Sequence, residues 1–173
     1  IDAATLIVKR FPNVRFLIVG KGELEQELQN QIKNLKLEKH VILAGFRSDI
    51  LSLHKSFDLF VMSSITEGLG TSALDAMACG RAIVSTKAGG LSEVVIDGDT
   101  GLLVPIRDAE ALASGIKRLI QDQAFRGRCE RAALTRAHQA FNAERMIDET
   151  LDVYEQLVDT NRGADNEYRD VVD

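Results

Sequence analysis

The sequence predicts an α/β fold in which a parallel β-sheet is covered by helices on both faces. Short, continuous apolar runs recur along the chain, and such runs are typical of strands that are buried on both faces. Segments with a helical spacing of apolar residues separate the runs, and this alternation indicates parallel strands joined by crossover helices. The apolar runs fall at residues 16–19, 41–44, 59–62, 82–84 and 102–104.

Helical patterns account for the segments between the strands. Apolar residues recur every three or four positions from Leu24 to Leu35, with Glu and Gln between them, which predicts an amphipathic helix. Shorter helices are expected at residues 48–55, 72–79 and 91–96.

The two ends of the chain follow different patterns. Ile1 opens partway through a helical pattern, with no capping residue or strand before it, so we expect an N-terminally truncated piece of a longer protein. After Pro105, apolar stripes predict long closing helices that pack on the sheet. Residues 159–173 are acidic and show little periodicity. They predict a disordered tail that follows one folded domain of residues 1–158.

Composition excludes several classes of protein. A chain of 173 residues, 45% of them hydrophobic, is long enough for one compact core. Its net charge of −5 disfavours nucleic-acid binding, which requires an excess of basic residues. The two cysteines, Cys79 and Cys129, indicate free thiols in a reducing compartment. No apolar run approaches a membrane span and no signal peptide is visible, so we expect a cytoplasmic segment.

The most informative stretch is residues 67–80, in which two carboxylates flank a glycine pair that leads into a helix. Gly68 and Gly70 let the backbone bend sharply and approach a ligand. The helix that follows presents unpaired N–H groups and the positive end of its dipole, which suit a phosphate. Because helical side chains tilt toward the N-terminus of their helix, the Asp75 carboxylate can reach the N-terminal end of the helix, which Glu67 borders. The arrangement predicts a sugar nucleotide as ligand.

This stretch resembles the signature of the retaining nucleotide-sugar glycosyltransferases of the GT-B fold, of the glycosyltransferase family 4 type. In that family two glutamates are separated by seven residues, and an aromatic residue follows the first glycine. Here Leu69 replaces the aromatic residue and Asp75 replaces the second glutamate. The negative charge is kept on an arm that is one methylene shorter.

Other segments resemble family motifs along most of the chain. Residues 19–22 are similar to Val-Gly-x-Gly after the second strand of the donor domain, and residues 45–46 to the turn whose backbone meets the nucleotide base. Residues 89–105 resemble the segments Gly-Gly-x-x-Glu and Asp-Gly-x-x-Gly-x-Leu-Val. The resemblance covers the C-terminal half of a GT-B fold, a Rossmann-like domain. It implies that a strand, an Arg and a Lys that neutralise the diphosphate, and an acceptor-binding domain precede this chain.

The resemblance also implies a reaction and a set of site residues. The reaction is transfer of a hexose-type sugar from a nucleoside diphosphate sugar to a glycan, lipid-linked or small acceptor, with retention and without a metal or other cofactor. Glu67 is implied as the catalytic residue, which orients the donor sugar through its hydroxyls. The residues implied in donor binding are Gly20, Lys21, Gly22, Phe46, Arg47, Gly68, Leu69, Gly70, Thr71, Ser72 and Asp75.

Without the acceptor domain, we expect the segment alone to be inactive. The resemblance is also compatible with peripheral association of the full-length protein with the inner face of the membrane, through parts outside this segment. Two other functions stay open, namely a sugar-nucleotide epimerase of the same fold and a catalytically silent scaffold domain.

Several residues have a simpler alternative interpretation. Asp75 also fits a solvated helix acid, and Lys21 fits a charge that only solvates its turn. Glu93 stabilises the start of its own helix or faces the ligand. The arginines of residues 126–136 favour a solvated helix face over a phosphate site, because Glu130 interrupts them. No histidine or cysteine shows metal-ligand spacing, so no metal site is predicted.

Overall fold

The structure, a computed structural model, describes the backbone of residues 1–169 and the side chains of residues 1–158. The chain divides into two compact units, Ile1–Thr135 and Arg136–Asp173. The elements in chain order are α1 Asp2–Val8, β1 Phe16–Val19, α2 Glu25–Asn34, β2 Val41–Gly45, α3 Ile50–Ser56, β3 Leu59–Met62, α4 Thr71–Ala78, β4 Ala82–Thr86, α5 Leu91–Val94, β5 Gly101–Val104, α6 Ala109–Gln121, α7 Gln123–Ala140 and α8 Ala143–Arg169.

All strands of the first unit pair in parallel, as the apolar runs predicted, but they form two sheets where we expected one. β1 pairs with β2, and β4 lies between β3 and β5. Among residues 1–169, no backbone ladder joins β1 to β3. Apolar runs identify strands, whereas pairing depends on which edges meet in the folded chain.

β4 is the centre of the larger sheet, and all of its residues are buried. α6 packs on one face of this sheet, and Gly115 allows the close approach, since a Cβ there would lie 2.9 Å from Val84 Cγ1. α4 packs against β3 and β4. Helices therefore flank the parallel strands, which confirms the predicted fold class.

β4 extends two residues beyond its predicted end. The predicted strand stopped at Val84 because Ser85 and Thr86 are polar. In the structure Ser85 pairs with Met62 of β3, and Thr86 pairs with Val104 of β5. Backbone pairing continues where the apolar run ends, and it carries a hydroxyl side chain to the carboxyl edge of the sheet.

The second unit contains the whole of α8. The backbone is helical through Arg169, whereas the sequence analysis expected a disordered tail from residue 159. Residues 170–173 of that predicted tail lie outside the described residues. Residues 159–169 contain no proline, and the Arg, Ala and Glu residues among them are good helix formers, so local propensity permits the longer helix.

α8 carries an apolar stripe that is exposed. Asn142 caps its first turn by accepting a hydrogen bond from the Arg145 N–H at 2.8 Å. Side chains along the stripe are about half exposed or more, namely Ile147, Leu151, Tyr154 and Leu157. Within the described residues, no helix combines the length and the apolar character needed to span a bilayer.

Candidate functional site

The site begins at the N-terminus of α4. Gly70 lies just before the helix with φ of 81°, a left-handed conformation that glycine adopts without strain. No side chain caps this end of the helix, and Thr71 and Ser72 are exposed. The first N–H groups of a helix have no partner within it, so this end offers donors and a positive dipole to an anion.

Glu67 lies in the loop between β3 and α4 and is half-buried. The Ser64 hydroxyl donates a hydrogen bond to Glu67 Oε2 at 3.3 Å. The Thr86 hydroxyl at the end of β4 donates to the Ser64 carbonyl at 2.6 Å. The predicted catalytic carboxylate is therefore linked to the central strand of the larger sheet.

The turn at Gly89 and Gly90 lies directly against the loop that carries Glu67. The Gly90 N–H donates to the Gly68 carbonyl at 2.9 Å. A Cβ on Gly89 would collide with the Glu67 carbonyl oxygen, and one on Gly90 would collide with that of Gly68. The glycine pair, which the sequence analysis singled out as a motif, thus allows one loop to support the other.

Asp75 lies about one turn inside α4 and is exposed, as expected for a residue that faces a ligand or solvent. The neighbouring α3 packs on α4, where Cys79 Sγ lies 4.0 Å from the Leu51 carbonyl. His54 lies about one turn after Leu51 in α3 and is buried. The centroid of its ring lies 5.2 Å from that of the Phe60 ring, in an edge-on arrangement.

His54 is an unusual buried polar residue. Burial lowers its pKa from the usual value, and the negative charge of Asp75 opposes this effect. Its Nδ1 atom has no hydrogen-bond partner among the described residues. The sequence analysis considered His54 only as a possible metal ligand. Nothing in the sequence around His54 indicated that its ring would be buried without a hydrogen bond at Nδ1.

The remaining predicted donor-binding residues lie at the carboxyl edge of the smaller sheet. Gly20, Lys21 and Gly22 follow β1 and are exposed, and the Gly20 N–H donates to the Gly45 carbonyl at 2.9 Å. Phe46 follows β2 and is 77% exposed. This bond brings the two predicted donor-binding turns of the smaller sheet together.

Arg47 forms an ion pair with Asp49. Arg47 Nε and Nη2 donate to the two Asp49 carboxylate oxygens at 2.8 and 2.7 Å. The hydrogen bonds from Arg47 hold the pKa of the Asp49 carboxyl below its usual value. The sequence analysis assigned Arg47 to the donor and did not anticipate this acidic partner.

Apart from Asp75, which lies within α4, the predicted site residues form two loop clusters, one on each sheet. The first comprises the turns after β1 and β2, residues 20–22 and 45–47. The second comprises residues 67–72 at the end of the loop after β3, together with the adjoining turn after β4, residues 87–91. Among the side chains of residues 1–158, no group of three or more His, Cys, Asp or Glu is arranged to hold a metal ion.

The motif resemblance is confirmed by comparison with known families. Residues 1–136 match the family described as "Glycosyl transferases group 1". The chain belongs to this glycosyltransferase family. Among curated relatives, the putative glycosyltransferase EpsD of Bacillus subtilis is 32% identical over 161 residues, which are 92% of this chain and 42% of EpsD. The D-inositol 3-phosphate glycosyltransferase of Arthrobacter is 34% identical over 171 residues, 92% of this chain and 39% of that protein.

Solved structures support the same assignment. The chain is similar to Anabaena Alr3699/HepE in complex with UDP and glucose, with 32% identity and a TM-score of 0.79 over 88% of this chain and 44% of that one. The C-terminal domain of the group 1 glycosyltransferase LpcC from Francisella tularensis is 27% identical, with a TM-score of 0.75 over 82% of this chain and 77% of that one. The fold is therefore the Rossmann-like C-terminal domain of a GT-B glycosyltransferase.

This glycosyltransferase domain spans about two-fifths of the length of the curated relatives above. Its family and fold are established, and the roles of the individual site residues remain predictions.

Proposed function

We propose that this chain is the donor-binding half of a glycosyltransferase that uses a nucleoside diphosphate sugar. The open N-terminus of α4 carries the proposal, because it presents unpaired N–H groups next to the half-buried Glu67. The comparison proteins add support, since Anabaena Alr3699/HepE was solved with UDP and with UDP-glucose. A uridine nucleotide is therefore the first ligand to test.

In the proposed reaction the nucleoside diphosphate leaves the anomeric carbon of the sugar. The N–H groups at Thr71 and Ser72 stabilise the negative charge that develops on the diphosphate. Glu67 accepts hydrogen bonds from the sugar hydroxyls and fixes the orientation of the ring, and Asp75 accepts one from the ribose. We propose that the reaction proceeds with retention and without a metal, as the family resemblance implies.

The acceptor side of the reaction lies outside this chain. We propose that a preceding domain binds a glycan, lipid-linked or small acceptor and supplies the Arg and Lys implied by the resemblance. The protein would then act in the cytoplasm, with any contact to the inner face of the membrane made by parts outside this segment.

A titration with UDP in the presence of EDTA tests the proposal. Chemical-shift changes in an NMR spectrum should map to residues 20–22, 45–47 and 68–72, since open α/β folds bind ligands at the carboxyl ends of their strands. Shifts confined to another surface, or a strict need for a divalent metal, would contradict it.

A transfer assay separates the proposed function from its rivals. The chain alone should transfer no sugar, with Glu67→Gln as the control for contaminating activity. The full-length protein should yield a glycosylated acceptor from UDP-glucose or another nucleoside diphosphate sugar. An epimerised sugar nucleotide as product would indicate an epimerase, and a full-length protein that binds no donor would indicate a scaffold.

A further inference from the structure

A hydroxyl group continues the link between β3 and β4 beyond the end of their backbone ladder. The last paired residues are Met62 and Ser85. Just past them, Thr86 Oγ1 donates to the Ser64 carbonyl at 2.6 Å. Thr86 is 3% exposed and lies in the central strand of the larger sheet, so this donor is well fixed. The chain is therefore held to the sheet at Ser64, after it has left β3.

Ser64 links the end of β4 to the Glu67 carboxylate through two hydrogen bonds. Its carbonyl accepts from Thr86, and its own hydroxyl donates to Glu67 Oε2 at 3.3 Å. The other side of the loop is supported by the Gly90 N–H, which donates to the Gly68 carbonyl at 2.9 Å. Glu67 is thus bracketed by hydrogen bonds before and after it along the chain.

A simpler role for Thr86 is to satisfy its own buried hydroxyl with the nearest carbonyl. That role would stabilise the fold but would not explain why the residue it holds, Ser64, in turn contacts the Glu67 carboxylate. Side chains that act at a site are held in place by hydrogen bonds from the residues behind them. The two bonds share one residue and end at the predicted catalytic group.

We propose that Thr86 and Ser64 are positioning residues that orient the Glu67 carboxylate toward the hydroxyls of the donor sugar. This inference rests on the proposed function of Glu67, and it adds a specific device that selects a sugar nucleotide over the free nucleotide. UDP lacks the sugar, so its affinity does not depend on the hydrogen bonds that orient Glu67. The affinity of UDP-glucose relative to that of UDP does depend on them.

Three variants and a control test the two hydrogen bonds separately. Thr86→Val removes the hydroxyl and keeps the shape, whereas Thr86→Ser keeps the hydroxyl. Ser64→Ala removes the bond to Glu67 and leaves its carbonyl available to Thr86. Ser63→Ala is the matched control, because Ser63 is an exposed neighbour in the same loop.

The first measurement uses the unliganded chain and requires no knowledge of the donor. NMR relaxation gives the order parameter of the Glu67 side-chain methylene groups. It should fall in Ser64→Ala and Thr86→Val, and stay at the wild-type value in Thr86→Ser and Ser63→Ala. In Thr86→Val the Gly90 amide should also exchange faster with solvent, since the loop that accepts its hydrogen bond loses an anchor.

The second measurement compares the affinities of UDP and UDP-glucose by titration. In Ser64→Ala and Thr86→Val, the preference for UDP-glucose should fall by about fivefold, as expected for the loss of one hydrogen bond. UDP affinity should stay within about twofold of wild type, because no bond to the nucleotide is removed. Thr86→Ser should restore the preference, which a role in stability alone would not require.

Each outcome bears on the proposal. An unchanged Glu67 order parameter in a folded Ser64→Ala variant overturns it, and so does an unchanged preference in Ser64→Ala when Glu67→Gln loses that preference. If Thr86→Val does not fold, Ser64→Ala decides, since Ser64 is only partly buried. If wild type binds neither nucleotide, the proposed donor is wrong, while the order parameters still decide whether the device fixes Glu67.

Discussion

Glycines serve different purposes in the two loop clusters. At the smaller sheet, a Cβ on Gly22 or Gly45 would meet nothing within 4 Å, and Gly45 has φ of 64°. At the larger sheet, Gly90 has an ordinary φ of −61°, but a Cβ there would collide with the Gly68 carbonyl oxygen. In the first cluster glycine is needed for backbone conformation alone, at Gly20 and Gly45, whereas the second cluster also needs glycine for close packing, at Gly89 and Gly90.

The two clusters also differ in the hydrogen bonds that hold their loops in place. The loop with Glu67 receives hydrogen bonds from Thr86, Ser64 and Gly90, and it lies against the fully buried strand β4. The turns after β1 and β2 share the bond from Gly20 to Gly45 and place Phe46 in solvent. The Glu67 loop is thus anchored to a buried strand, whereas the turns after β1 and β2 are held to each other and stay exposed.

The largest expected effect is on stability, from Gly90→Ala. The added methyl group meets a backbone carbonyl that cannot move aside cheaply, so we expect a loss of about 3 kcal/mol in the free energy of unfolding. Gly22→Ala is the matched control, with a change within about 0.5 kcal/mol. Chemical denaturation measures both, and equal losses would remove the contrast between the clusters.

The next effect concerns the two acids and requires the full-length enzyme. Glu67→Gln should lower kcat on the order of 100-fold, the usual cost of removing one group that stabilises a transition state. Asp75→Asn should mainly weaken donor binding, by about 1 to 3 kcal/mol, as for a lost charged hydrogen bond. Steady-state kinetics separate the two, and a fully active Glu67→Gln enzyme would show that the site is assigned incorrectly.

A smaller effect is expected at Gly45, where only conformation is at stake. Gly45→Ala should cost about 1 to 2 kcal/mol in the free energy of unfolding, because a non-glycine residue is strained in the left-handed region. Gly45→Asn should cost less, since asparagine tolerates that region. If asparagine is as costly as alanine, the site demands glycine for a reason other than φ.

The smallest expected effect is a dependence of stability on pH that originates at His54. Its folded pKa is lowered from 6.5 by burial, so the unfolded chain binds the proton more readily. Stability is then fully present above about pH 6.5 and falls as the pH decreases below it, by at most about 1.4 kcal/mol between pH 7.5 and 5.5.

The control for this prediction is His54→Leu, compared with wild type in denaturation experiments across that pH range. The other two histidines, His40 and His138, are unchanged in the variant, so the difference isolates His54. Identical pH profiles for the two proteins would contradict the lowered pKa.

Local patterns in the sequence are sufficient to predict the elements of this protein. The apolar runs from Phe16 to Val19 and from Leu59 to Met62 coincide with strands, because a continuous apolar run is the local signal of a strand in a parallel sheet. Both strands are only partly buried in this chain, so the run predicted the strand better than its burial. The glycine pair before Thr71 marks the start of α4, because the entry turn needs a left-handed residue at Gly70. The family follows from the same motifs, because they lie within continuous stretches of chain.

The pairing of strands and the hydrogen bonds that hold the Glu67 loop depend on contacts between residues far apart in the sequence, which only the tertiary structure shows. The separation of β1 and β2 from the larger sheet has no local signal, since any apolar strand can pair with several others. Likewise, nothing in the sequence around Thr86 or Ser64 indicates that their hydroxyls link β4 to Glu67. The sequence alone determined which residues could form the site, because glycine conformation and helix ends are local properties. The tertiary structure decided which residues hold that site in place, because a hydrogen bond between Thr86 and Ser64 requires two strands to be adjacent.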